Sequence, residues 1–177
     1  GSVWGHGSYL APDWSADWIH RVVVARTDLM SRAKAGVPSS ALTPEELAGV
    51  HAGIKREFRA NTYDAKTGDL VVSDERALAM SAVAAHYMSL FSNDPATHEL
   101  RETYAMRENT VPDESHRRAL TSFIFWTAWA ASTDRPEKVD VTYTNNWPYD
   151  PAIGNVPTSS AFMWSMFSIL FLIAGIG

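Results

Sequence analysis

Six histidines, at positions 6, 20, 51, 86, 98 and 116, are the side chains of this sequence best suited to bind a metal or move a proton. Their spacing forms no H-x-x-x-H or H-E-x-x-H pair, so no helix would present two imidazoles on one face. His6 stands between Gly5 and Gly7, where the backbone could approach a ligand closely, although a lone histidine in a turn is more often at the surface or bonded locally. A metal-dependent hydrolase built on His6 and Asp13 would lack a converging ligand set. His86 reads as a satisfied helix residue. There is no cysteine, which excludes disulfides, thiolate-bound zinc, iron–sulfur clusters and thioether-attached haem within these residues. Nucleophile-elbow, Walker and dinucleotide signatures are also missing. The aromatic set Trp4, Tyr9, Trp14, Trp18, Trp126 and Trp129 suits a cofactor box or sugar platform by type. The four-residue spacing of Trp14 and Trp18, and the crowding of Phe125, Trp126 and Trp129, favour core packing instead.

The elements that would position these residues are helical. Asp13 is placed as N-cap of a helix through Trp14, Trp18, Val22 and Leu29, stopped by Gly36 and Pro38. Thr43-Pro44-Glu45-Glu46 combines a cap, a first-turn proline and a capping-box glutamate, and predicts a second helix burying Leu47, Val50, Ile54 and Phe58. Lys66 to Asp69 reads as the turn of a short β-hairpin between Thr62 and Ser73. A third helix opening at Asp74-Glu75 would bury Leu78, Val83, Tyr87 and Phe91, and a weaker one covers Thr97 to Arg107. A fifth opens at Pro112-Asp113-Glu114, with Leu120, Phe123, Ile124 and Thr127 on its inner face. Asp134 to Ser160 is rich in Pro, Asn, Asp, Thr and Tyr and reads as an ordered, irregular connector.

Charge is distributed unevenly. All 15 Lys and Arg and all 20 Asp and Glu precede Ala161, and the run Ala161 to Gly177 carries none. At ~1.5 Å per residue this run would reach about 25 Å as a helix, slightly less than the ~30 Å hydrocarbon core, and it reads as the start of a transmembrane helix. A buried core helix is the alternative. Tyr143, Trp147 and Tyr149, just before it, suit the aromatic belt of a membrane surface. The net charge of -5, without a basic block, argues against a nucleic-acid partner. Residues 1–20 show no signal-peptide pattern, and an export signal or earlier membrane helix would lie upstream of Gly1.

Three stretches carry a resemblance: Gly1 to Arg21 (GSVWGHGSYLAPDWSADWIHR), Phe125 to Pro136 (FWTAWAASTDRP), and Thr142 to Pro151 (TYTNNWPYDP) followed by Gly154-Asn155. In this order they resemble the N-terminal hydrophilic, cytochrome-c-like domain of quinol-dependent, single-chain nitric oxide reductases. The resemblance implies a mainly α, haem-less cytochrome-c-like domain with a short β-hairpin, followed by the start of a transmembrane helix. Its implied limits are 1–133 for the helical domain, 134–160 for the connector and 161–177 for the membrane helix.

The resemblance also implies that the intact enzyme reduces 2 NO with two electrons and two protons to N2O and water. Quinol, haem b, haem b3 and nonhaem iron would serve that reaction, with the ligands in a haem-copper-oxidase-like membrane domain downstream in the same chain. No catalytic or cofactor-binding residue is expected in this fragment, whose role would be structural. It would lie on the periplasmic side of the cell (inner) membrane, in contact with lipid. In cytochrome-c-dependent relatives the haem-attachment motif would fall at or before Gly1, with its histidine aligned to Gly1, and the axial methionine near Met106. Trp4 and Phe125 are then candidates to fill a vacated haem pocket. Those relatives also hold an interface calcium at the positions of Gly7 and Tyr9. Here His6 replaces an acidic residue, so calcium, water, another cation, or a plain domain-interface turn remain the readings. The competing class is a non-enzymatic, membrane-tethered extracytoplasmic binding module.

Overall fold

The computed structural model describes residues 1–5 and 10–176. Six α-helices account for most of them: α1 Trp14–Ala35, α2 Pro44–Arg59, α3 Asp74–Leu90, α4 His98–Thr103, α5 Glu114–Ser132 and α6 Ser159–Ile176. Strands β1 Tyr63–Asp64 and β2 Asp69–Leu70 pair antiparallel, with Tyr63 opposite Leu70. The chain is thus mainly helical with a two-strand hairpin and a terminal apolar helix, as its sequence suggests.

Each long helix of the body starts on a side-chain cap that satisfies an otherwise orphaned amide. Asp13 accepts from Ala16 N at 2.9 Å, Ser73 from Arg76 N at 3.2 Å, and Asp113 from His116 N at 2.9 Å. Thr43 and Glu46 form the reciprocal capping box. Gly36 ends α1 in the left-handed region at φ 72°, its N–H returning to Arg32 O.

The core lies among α1, α3 and α5, with α2 packed alongside. Ile19, Ile54, Leu90, Ile124 and Tyr87 are buried at its centre. Trp18 stacks on Tyr87 with ring centroids 5.2 Å apart. Two expected core residues lie elsewhere. Leu78 is 63% exposed, because the buried face of α3 runs through Arg76, Ala79, Val83, Tyr87 and Leu90, and Leu78 lies ~100° round the helix from Ala79. Phe123, 53% exposed, is one residue out of phase with buried Ile124 and Thr127. The weak helix is also shorter than expected. It ends at Thr103, and Ala105 then takes φ 50° so that Met106 N can return to Arg101 O at 2.9 Å.

The segment after α5 has no α-helix before Ser159, yet it is docked firmly on the body. Buried Arg59, at the end of α2, organises it. Its Nε donates to Ile153 O (2.9 Å), its Nη1 to Asp134 Oδ1 (2.8 Å) and Asn146 Oδ1 (3.0 Å), and its Nη2 to Gly154 O. Asn155, fully buried, donates from Nδ2 to Ala131 O and Pro148 O. Beyond this seat α6 projects with none of its described residues buried.

Candidate functional site

The residues singled out for an interface ion, Gly7 and Tyr9, lie outside the described residues, as does His6. Their neighbours are well defined. The Asp13 carboxylate accepts from Ser2 Oγ, Gly5 N, Ser15 Oγ and Ala16 N, tying the N-terminal residues to the start of α1. With both oxygens so engaged, Asp13 serves as a cap and a latch. Among the described residues no group of three His, Asp or Glu side chains could hold a metal ion.

Two regions concentrate the aromatic residues. The first is interior. The Trp14 indole meets the rings of Tyr87, Phe91 and Tyr104 edge-on at 5.6–6.0 Å. Trp18 continues the cluster onto Tyr87 and Phe125. The Tyr87 hydroxyl donates to Asp17 Oδ2 at 2.7 Å, which also accepts from Arg21 Nε at 2.7 Å. Burial, reinforced by the Asp17 charge, pushes the Tyr87 phenol pKa upward, so it stays a hydrogen-bond donor. Next to it, burial and then the Arg21 charge lower the His86 pKa. On the other side of the core, Arg76 lies 4.2 Å over the Phe58 ring and donates to Glu57 O. Desolvation brings its pKa down to about 10, against the attraction of Glu57. The void left where Trp18, Phe58, Arg76 and Phe125 meet is only about 10 Å³, close to the size of one water.

The second region is an open basin of about 670 Å³ walled by Trp4, Trp129, Tyr143, Thr144 and Trp147. Local bonds fix its walls. Trp4 Nε1 donates to Thr127 O at 3.0 Å while its backbone sits at φ 56°, a costly conformation for a bulky residue. Gly5, at φ 81°, lies so close to Trp147 that an added Cβ would collide with the indole nitrogen. Asn61 Nδ2 donates to the Tyr143 hydroxyl at 2.9 Å. Tyr143 packs on Trp129 at 5.6 Å. Trp4 is therefore a surface wall residue at 40% exposure and fills no interior pocket. The interior filling falls to Trp14 and Trp18, with Phe125 at its margin. Sequence alone assigned Trp4 and Trp129 to core packing and Tyr143 and Trp147 to a belt. Their convergence depends on contacts more than 100 residues apart in the chain, which no local pattern records.

The architecture defines a class: a helical domain with a closed aromatic core, leading into one helix long and apolar enough to cross a membrane. The family model for the NorB cytochrome c-like domain of nitric oxide reductase matches residues 1–149, and the chain belongs to that family. No curated protein matches the chain.

For an attached haem, the positions within these residues that the resemblance points to are Gly1 and Met106. No cysteine is available in these 177 residues. Gly1, where the resemblance aligns the haem-ligating histidine, abuts Trp14 so closely that a Cβ there would overlap the indole. Met106, near the expected axial position, is packed against the hydrophobic core.

Proposed function

We propose that this chain is the haem-free structural domain of a quinol-dependent, single-chain nitric oxide reductase, followed by the start of its next membrane helix. The observation that carries this reading is the Trp14 indole, seated among Tyr87, Phe91 and Tyr104 and pressed against Gly1. In this reading the indole fills the space beside Gly1 to which the resemblance assigns the haem of the relatives. Without such a group the domain has no path for electrons, so quinol would deliver them directly to the membrane part. In this reading residues 1–133 form the extracytoplasmic body, 134–160 the connector and 161–177 the membrane helix. The body covers the downstream catalytic domain, where haem b, haem b3 and nonhaem iron convert 2 NO, two electrons and two protons to N2O and water. The loop containing Gly7 and Tyr9 would face that partner, with calcium, water or another cation between them.

The test uses the intact membrane protein. NO consumption is measured with reduced quinol and separately with reduced cytochrome c, and the haem type is determined from the pyridine haemochrome spectrum. Quinol-driven turnover with haem b alone is the expected result. Preference for cytochrome c, or a haem c signal assigned to this domain, overturns it. Absence of NO chemistry with either donor favours a membrane-tethered binding module.

A further inference from the structure

The aromatic basin has a location, a shape and a charge that together specify a ligand. Its location follows from short links. Asn146, beside Trp147, donates from Nδ2 to Val156 O at 3.1 Å, and α6 begins three residues later at Ser159. Three residues span at most about 11 Å, so the basin opens near the point where the apolar helix starts. Four of its six lining residues are aromatic, the side-chain type favoured at the boundary between hydrocarbon and water. Its volume is in the range of small-molecule sites, and the bonds to Trp4 and Tyr143 hold it open in advance of any ligand.

A cation, Arg135, stands behind the turn that forms the Tyr143–Thr144 wall. Its guanidinium braces the turn that carries Tyr143 and Thr144, donating to Thr142 O at 2.9 Å and to Asn145 Oδ1. Among the described residues it meets no carboxylate within ion-pair distance, and a guanidinium has five donors, so several remain free. Lys138 N donates to Arg135 O, placing a second cation on the same loop. The competing acids of this loop are partly spoken for: Asp134 pairs with Arg59 and Asp140 with Lys55, leaving Glu137.

We infer that the Trp4–Trp129–Tyr143–Trp147 basin binds a membrane phospholipid, its phosphate on Arg135 and its glycerol ester region against the aromatic walls. This rests on the reading of α6 as a membrane helix. An arginine fork matches phosphate geometry, and indole and phenol rings suit the amphipathic part of the lipid that follows it.

The experiment places p-benzoylphenylalanine at position 143 of the full chain in native membranes, illuminates, and identifies the adduct at that peptide by mass spectrometry. A phospholipid adduct is expected. Arg135→Gln should reduce it about tenfold, the order expected for one charge-assisted contact. Arg135→Lys should retain only part of it, since the charge remains while the fork and its brace on Asn145 are lost. An adduct to a polypeptide, no adduct, or a lipid adduct indifferent to Arg135→Gln overturns the inference. Carbonate extraction of the same membranes separates the two readings. A chain released by carbonate refutes the membrane helix itself, whereas a retained chain without a lipid adduct refutes only the lipid site.

Discussion

Arg59 is 6% exposed and makes four hydrogen bonds, three of them to residues between Asn146 and Gly154. Shortening it would take the donor from Asp134 Oδ1 and from Ile153 O, while Asp134 Oδ2 and Gly154 O keep the amides of Asp140 and Val156. Removing one partner of a buried charged network costs about 3–5 kcal/mol. Arg59→Ala should therefore lower the melting temperature of the detergent-purified chain and open residues 134–156 to limited proteolysis. Arg59→Lys should recover little, because a point charge cannot reach both carbonyls and both side chains. His86 makes the opposite kind of prediction, one that depends on pH. Its Nε2 is buried without a hydrogen-bond partner, and burial followed by Arg21 lowers its pKa, with Asp17 opposing. The unfolded chain thus binds the proton more readily, so stability falls as pH drops through the ordinary histidine value near 6.5 and levels off below the folded value. Thermal melts between pH 8 and pH 5 should show a smaller loss for His86→Phe than for the parent chain. Equal slopes would mean that His86 is not a source of the acid sensitivity.

At the scale of elements, helix starts were legible because each depends on one short-range bond. Asp13 and Thr43 are the caps that the sequence indicated; the α5 cap, Asp113, lies within the expected opening, and in α3 the cap is Ser73, one residue before it. Thr43→Ala should cost about 1 kcal/mol, the usual worth of a cap. Asp13→Ala should cost more, because the same carboxylate also holds Ser2, Gly5 and Ser15. Paired melts of the two variants check the order, and an equal loss would show that the bonds to Ser2, Gly5 and Ser15 contribute nothing. Faces were less legible than starts. Leu78 and Phe123 are apolar and sit one residue away from buried positions, and only the packing of α1, α3 and α5 selects between neighbours ~100° apart. The connector was the least legible element. Composition suggested an irregular connector but carried no signal of its attachment, since Arg59 meets partners 75 to 95 residues away. The aromatic basin shares that cause, with Trp4 joined to Thr127 across 123 positions. The proposed ion site at Gly7 and Tyr9 came from resemblance to a family, and lies outside the described residues.

For the whole molecule, the decisive relation is between a docked body and a bare helix. Val156 is still held by the body, through Asn146, and Thr158 already caps α6 by accepting from Ala161 N at 3.2 Å. Only Pro157 stands between them, and its ring fixes one of its two backbone angles. The link is therefore short and stiff, so whatever surrounds α6 constrains the body as well. No described residue of α6 is buried, and phenylalanine, leucine, isoleucine and methionine side chains are exposed all round it. Leaving so much apolar surface in water is unfavourable by roughly 25 cal/mol per Å², which makes a lipid or protein surround obligatory. These two surrounds respond differently to a charge. In a bilayer, an arginine at the middle of a spanning helix costs about 2.5–3.5 kcal/mol, whereas at a protein groove its effect depends on which face it occupies. Ile169→Arg and Leu170→Arg lie on faces ~100° apart near the centre of α6. Measured by glycosylation mapping of α6 insertion, both should reduce insertion to a similar degree, roughly a hundredfold in the equilibrium on that scale. A loss from only one of them would indicate that α6 packs by one face against another segment, and that the body is anchored by protein contact instead of by the bilayer.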